Sequence, residues 1–343
     1  MKTQLPRKQL RKQQLHNWIN KNTDFECGTL EIVSGDASFR RYFRFFYRGQ
    51  SIIAVDAPPE HEDTSQFIAV AESYRKKGLK VPEIYAYDLS QGFFIQQDFG
   101  NRLFSDFLTA DSCDLLYPKA LANIPLIQSC LCTEKGPLAS FNGAFIDREL
   151  SIFTDWLLHR YLQLNLSDTE EKMLSKVFDE VKNSCLIQPS LGMHRDYHSR
   201  NLMLLEDDEI GVIDFQDAVI GPITYDAVSL LRDSYQDWPP AKVLQWLQNW
   251  HAEYYAEYPW IEFKKWFDNV GMQRHIKIAG IFARLCIRDN KPNFLSNIPH
   301  TLHYLIDEAS QYPEYSEFAS FVCERVLPNV LLKLNAKTTG QHT

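Results

Sequence analysis

The sequence predicts an α+β fold in two lobes, a small antiparallel sheet with one helix followed by a larger helical lobe. Between residues 29 and 100, short runs of β-branched and aromatic residues alternate with Gly-containing turns, the pattern of a strand meander. Beyond Gly100, apolar residues recur at three- and four-residue spacing, the pattern of amphipathic helices. The chain of 343 residues also exceeds a typical single core, which favours two lobes, expected at 1–100 and 101–343.

At the N-terminus, Leu5, Leu10, Leu15 and Trp18 stand among Lys, Arg and Gln and predict a helix lying on the surface. Strands are expected at 29–33, 39–47, 51–55, 81–88 and 92–97. One helix interrupts them: Asp63 is a plausible N-cap with Gln66 three positions on, and Phe67, Ile68, Val70, Ala71 and Tyr74 follow at helical spacing. The second lobe is expected to hold helices at 103–109, 115–132, 148–164, 169–184, 241–257 and 263–288 and a helical pair after Thr301. Within it, 202–205 and 210–213 read as a short hairpin, and Asp226 as the opening of a helix that buttresses a nearby loop.

Composition is that of an ordinary globular chain, with 45% hydrophobic and 23% charged residues. A net charge of -8 argues against a nucleic-acid backbone as partner. The seven cysteines are scattered without a CxxC pair, which suits a reducing compartment and gives no zinc-ligand spacing. No run reaches the ~18 apolar residues of a membrane span, and no apolar secretion-signal stretch is evident. The cytoplasm is the expected location, with neither membrane nor nucleic acid as partner.

Chemistry concentrates in Met193-His194-Arg195-Asp196-Tyr197-His198-Ser199-Arg200-Asn201 and in Ile213-Asp214-Phe215-Gln216-Asp217. Phosphoryl transfer from ATP needs a metal to neutralise the triphosphate, and Mg²⁺ takes only one or two carboxylates beside phosphate oxygens. Asp214 offers a carboxylate and Asn201 an amide oxygen, which leaves Asp196 to accept the proton of an acceptor hydroxyl. The order HRDxxxxN followed by a hairpin and IDF matches the kinase catalytic-loop template, with Gln216 where protein kinases have Gly. Asp217 is either substrate-facing or a support for its neighbours.

These motifs, HRDYHSRNLM and VIDFQDAVIGPITYDAVSLLRD, together with SGDASFRRYFR, DAPPE and GIFARLCIRD, resemble the aminoglycoside phosphotransferase family of small-molecule kinases. They look in particular like its bacterial branch of anomeric kinases acting on N-acetylmuramate and N-acetylglucosamine. The resemblance runs from about Leu15 to the C-terminus. It implies a protein-kinase-like bilobal fold, ATP and Mg²⁺ as cofactors, Asp196 as catalytic base, and Asn201 and Asp214 as metal ligands. It further implies that Gly35-Asp36-Ala37-Ser38 covers the ATP phosphates and that Gln97-Asp98-Phe99 is the hinge whose backbone pairs with adenine. An ordinary hairpin turn has the same sequence look at 35–38. Such kinases carry a lysine on the third strand, paired with a helix Glu. Here that strand reads Ser51-Ile52-Ile53-Ala54-Val55-Asp56 with no cation. Arg40, Arg41 or Arg44 on the adjacent strand is the expected substitute, because guanidinium binds phosphate bidentately.

A sugar acceptor calls for polar groups beside an apolar wall. Glu149 and Phe153, with Trp156, share one face of the helix at 148–164. Arg284 belongs to a later basic helix that also carries Arg274, Lys277 and Arg288. His198 and Arg200 lie in the catalytic loop. The expected reaction is phosphorylation of an amino-sugar anomeric hydroxyl to a sugar 1-phosphate, a step that in this branch feeds cell-wall recycling. Two alternatives are a kinase of another small alcohol, of choline or aminoglycoside type, and an inactive nucleotide-binding module of the same fold.

Overall fold

A computed structural model describes residues 7–34 and 39–339. In chain order its main elements are α1 (Arg7–Asn22), β1 (Glu31–Ser34), β2 (Arg41–Tyr47), β3 (Gln50–Asp56), α2 (Thr64–Lys76), β4 (Ile84–Asp88), β5 (Phe93–Gln97) and α3 (Cys113–Gln128). There follow β6 (Cys132–Thr133), β7 (Gly136–Pro137), α4 (Gly143–Ile152), a π-helical run Phe153–Tyr161, α5 (Asp168–Ile187), β8 (Ser190–Met193), β9 (Leu202–Leu204), β10 (Ile210–Val212) and β11 (Val219–Pro222). The remainder is helical: α6 (Tyr225–Leu231), α7 (Pro240–Tyr254), α8 (Trp260–Asp289), α9 (Ile298–Ser310), α10 (Ser316–Phe321) and α11 (Leu327–Thr339). The expected helix at 103–109 is only a 3₁₀ turn, Phe104–Phe107. Among the described residues no helix is long and apolar enough to cross a membrane.

Two compact units emerge. The described residues of the first fall within Met1–Lys119, Cys132–Pro137 and Arg200–Ala218. Its sheet runs β1-β2-β3-β5-β4, and each neighbouring pair is antiparallel. Alternation along β3 and β5 sends Ile52, Ala54, Phe93 and Ile95 to a core with Leu15, Trp18 and Ile19 of α1. The N-terminal helix is therefore anchored to the sheet rather than merely solvated, and each such buried large side chain contributes ~1.5–3 kcal/mol. The opposite face receives α2, whose Phe67 ring lies 5.0 Å from that of Phe94. As its sequence suggested, α2 starts at Asp63, whose carboxylate accepts the Gln66 N–H at 3.0 Å. The β9–β10 hairpin groups with this unit although it lies far beyond residue 100. Bridges Lys80 to Gly211 and Leu103 to Met203 tie it there.

The second unit comprises Ala120–Leu131, Leu138–Ser199 and Val219–Thr343. Its axis is α8, 30 residues long and buried along most of its inner half, with α4, α5, α6 and α9 packed around it. Gly280 makes the close approach of α4 possible. A Cβ there would stand 2.5 Å from the Ile152 carbonyl oxygen and 2.7 Å from the Phe153 nitrogen. The backbone that meets Gly280 is the point where α4 passes into the π-helical run. α8 ends at Asn290, which takes the left-handed conformation common at helix C-termini. The hydrophobic period placed this helix at 263–288, within three residues of its observed ends.

Candidate active site

In the second unit, β8 pairs with β11 and delivers the chain into the loop at His194. Arg195 adopts φ 75°, a left-handed conformation unfavourable for any residue that carries a Cβ, so something must hold it. Asp226, at the start of α6, does so: its buried carboxylate accepts the N–H of His194 at 2.8 Å and of Arg195 at 3.0 Å. Burial pushes the Asp226 carboxyl up to about 7, while these two N–H bonds pull the other way. The Asp196 N–H points to His194 Nδ1 at 3.3 Å, and the buried Tyr197 hydroxyl donates to the Ala120 carbonyl at 2.7 Å. Ser199 N–H donates to Asp233 at 3.0 Å. The loop is thus fixed at almost every residue before its catalytic candidate is considered.

Asp196 lines a cavity of about 500 Å³ together with His198, Glu149, Arg195, Arg274 and Lys277. Burial would raise the pKa of Asp196, yet Lys277, His198, Arg195 and Arg274 outweigh it and hold the carboxyl below its usual range. Two of those cations, Arg195 and Lys277, are in turn fixed by Glu149. This buried carboxylate accepts from Arg195 Nη2 at 2.9 Å, from Gln273 Nε2 at 2.9 Å and from Lys277 Nζ at 3.4 Å. Lys277 also donates to the Tyr225 hydroxyl at 2.8 Å. The arrangement can keep one carboxylate ionised beside a polar hollow, which is what a proton acceptor requires.

In the first unit, Asn201 and Asp214 come together. Asn201 Nδ2 donates to Asp214 Oδ2 at 3.3 Å, and Gln216 Nε2 donates to Asp214 Oδ1 at 3.0 Å. Asp214 sits at φ 64°, which the next residue helps to impose: Phe215 is fully buried, stacked 4.7 Å from Phe67 and 5.8 Å from Tyr74 of α2. Rotation of the Asn201 amide presents its oxygen where the nitrogen now lies, so the pair forms an oxygen donor set of the kind Mg²⁺ accepts. Among the described residues no cluster of three or more His, Cys, Asp or Glu stands ready to hold a metal unaided.

The three arginines near the lysine-free strand separate by partner. Arg41 and Arg11 both pair with the fully buried Asp56, and Arg44 grips Asp98 through two nitrogens. Arg40 turns elsewhere: its guanidinium donates to Glu62 at 2.9 Å and to Gln216 Oε1 at 3.0 Å. Burial opposes its charge, but Tyr42, Glu62 and Asp214 nearby more than restore it. An Arg40–Glu62 ion pair thus lies in the same unit as the lysine-free strand, with Glu62 just ahead of α2.

Of the remaining residues picked out in the sequence, Gly35, Asp36, Ala37 and Ser38 lie outside the described residues. Asp98 spends its carboxylate on Arg44, Ser51 and the Gly100 N–H, so it shapes the 97–99 turn rather than facing a ligand. Gln97 N–H donates to the Glu83 carbonyl at 2.8 Å, and the Phe99 ring lies over Gly211. Glu149, His198 and Arg284 line the cavity, whereas Phe153 is fully buried at the Gly280 crossing and does not. Arg200 is exposed and also absent from the lining. Sequence reasoning named the basic helix but not Lys277 as its key member, nor Glu62 and Gln216. Lys277 was marked only by its lying on one helical face with Arg274 and Arg284.

The profile of the phosphotransferase enzyme family matches residues 29–263. A Pseudomonas putida protein named N-acetylmuramate/N-acetylglucosamine kinase is 35% identical over 93% of this chain and 98% of its own. A protein of the same name from Pseudomonas aeruginosa is 38% identical over 84% of this chain and 86% of its own. Among solved structures, an ethanolamine kinase of Plasmodium vivax superposes with a TM-score of 0.62 at 13% identity, covering 92% of this chain and 98% of that one. At that identity the likeness concerns the fold.

Proposed function

The chain belongs to the phosphotransferase enzyme family, small-molecule kinases that use ATP on a hydroxyl acceptor, and on that premise we propose that it phosphorylates the anomeric hydroxyl of N-acetylmuramate or N-acetylglucosamine. The observation that carries this reading is Asp196, held ionised by surrounding cations at the wall of a cavity of about 500 Å³. That volume lies within the ~300–1,000 Å³ usual for small-molecule sites. Asp196 takes the proton of the anomeric O–H. The anomeric oxygen then bonds to the γ-phosphorus while the bond from that phosphorus to the bridging oxygen breaks, leaving the sugar 1-phosphate and ADP. The proton passes from Asp196 to solvent.

Asp214 and Asn201 would hold Mg²⁺ with the phosphate oxygens, and the ion would supply neutralisation of the triphosphate charge. Arg40 adds positive charge for the phosphates, and the backbone of 97–99 pairs with adenine. Glu149 and His198 orient the sugar. The setting is the cytoplasm, where ATP is available. A cationic acceptor of the choline or aminoglycoside type is disfavoured, because it would meet Arg195, Arg274, Lys277 and Arg284 along the cavity wall.

A coupled assay for ADP release against N-acetylmuramate, N-acetylglucosamine, choline and kanamycin tests the reading. Turnover with the two sugars alone is expected, and turnover with choline or kanamycin alone would overturn it. Asp196→Ala should lower kcat by about 10²–10⁴-fold with ATP affinity nearly unchanged, as measured by nucleotide titration.

A further inference from the structure

We infer that Arg284 is the residue by which this site recognises the carboxylate of an acidic sugar acceptor, an inference that rests on the amino-sugar reading above. One face of α8 lines the cavity, with Arg274, Lys277, Ile281 and Arg284 at three- and four-residue steps. The cations at the Asp196 end are already answered. Lys277 is bonded to Glu149 and Tyr225, Arg195 to Glu149, and Arg274 Nε to the Ser229 hydroxyl at 2.8 Å. Arg148 also lines the cavity, but it is exposed to solvent and lies over the Phe145 ring. Arg274 also keeps a buried nitrogen, Nη1, without a hydrogen bond, but the Arg284 side chain differs in making no hydrogen bond at all among the described residues. Its Nε is buried with no hydrogen-bond partner among the described residues. The nearby carboxylate of Asp289 is taken by Arg288 through two nitrogens, at 2.7 and 2.8 Å. Burial and the like charge of Arg288 both act against the Arg284 guanidinium, so an anion placed there gains a donor that has no competing acceptor.

The position suits the chemistry of the acceptor. Seven residues of helix separate Lys277 from Arg284, a rise of about 10 Å, and both side chains can lean inward from the two ends of that span. A sugar whose reacting hydroxyl lies at Asp196 would rest against Ile278 and Ile281 and point a substituent of its ring toward Arg284. N-acetylmuramate differs from N-acetylglucosamine by a lactyl ether that carries one carboxylate. Arg284 therefore sets the preference between two acceptors that the rest of the site treats alike.

The test compares the two sugars. In Arg284→Gln, kcat/KM for N-acetylmuramate should fall about 10–100-fold, chiefly through KM, while that for N-acetylglucosamine changes less than about twofold. A matching arm leaves the protein unaltered and replaces N-acetylmuramate by its methyl ester, which should lose a similar factor. This arm decides the matter if the variant fails to fold. Equal losses on both sugars, unchanged selectivity in the variant, or an ester used as well as the acid would overturn the role of Arg284. Failure of the unaltered protein to phosphorylate either sugar would overturn the amino-sugar reading and this inference with it.

Discussion

At the scale of single residues, the charge of Asp196 follows from a contest between burial, which favours the neutral acid, and four cationic neighbours, which prevail. Lys277 is the foremost of them. Lys277→Gln should therefore raise the Asp196 pKa. Because the base must be ionised, the acid limb of the kcat/KM profile should move to higher pH, and Lys277→Arg should restore most of it. A pH profile of each variant checks this. At the other motif, Arg40→Ala should weaken ATP binding at least about tenfold by nucleotide titration. Arg41→Ala should instead lower the Tm, because it strips Asp56 of a partner in a fully buried position. The catalytic and metal candidates were legible because they form one short motif with fixed spacing. How the three arginines are paired was not legible: the acids that claim them, Asp56, Asp98 and Glu62, come from other parts of the chain.

At the scale of elements, helix α8 could be read from its hydrophobic period, but its closest packing could not. The run at 148–164 was read as a single α-helix with Glu149 and Phe153 on one face. That spacing holds only while the helix repeats every 3.6 residues, and at Phe153 the chain turns π-helical against Gly280. Phe153 is thereby rotated into the core and Glu149 alone reaches the cavity. Gly280→Ala should force these backbones apart and cost ~1–3 kcal/mol, since the obstructing atoms are main-chain and cannot rotate away. Thermal unfolding of this variant, together with KM for the sugar, reports both consequences.

At the scale of the whole molecule, the family is an economical scaffold. An ethanolamine kinase shares the fold at 13% identity, while relatives at 35–38% identity are named as amino-sugar kinases. The sequence distinguished a sheet-rich lobe from a helical one because strand and helix periods differ. It did not reveal that 200–218 joins the first unit, a grouping made by β-bridges from Lys80 and Leu103. Removal of Mg²⁺ by EDTA should abolish turnover and excess Mg²⁺ should recover it, with the melting temperature of the nucleotide-free protein essentially unmoved, because no metal-only cluster holds the described fold together.

Gln216 occupies the place where protein kinases have glycine, and its amide is bonded on one side to Arg40 and on the other to Asp214. A neutral group so inserted acts as a tether: it fixes the distance between a cation and an anion that still feel one another's field. Gln216→Gly should release that tether, let both side chains turn away from their present places, and lower ATP affinity in a nucleotide titration.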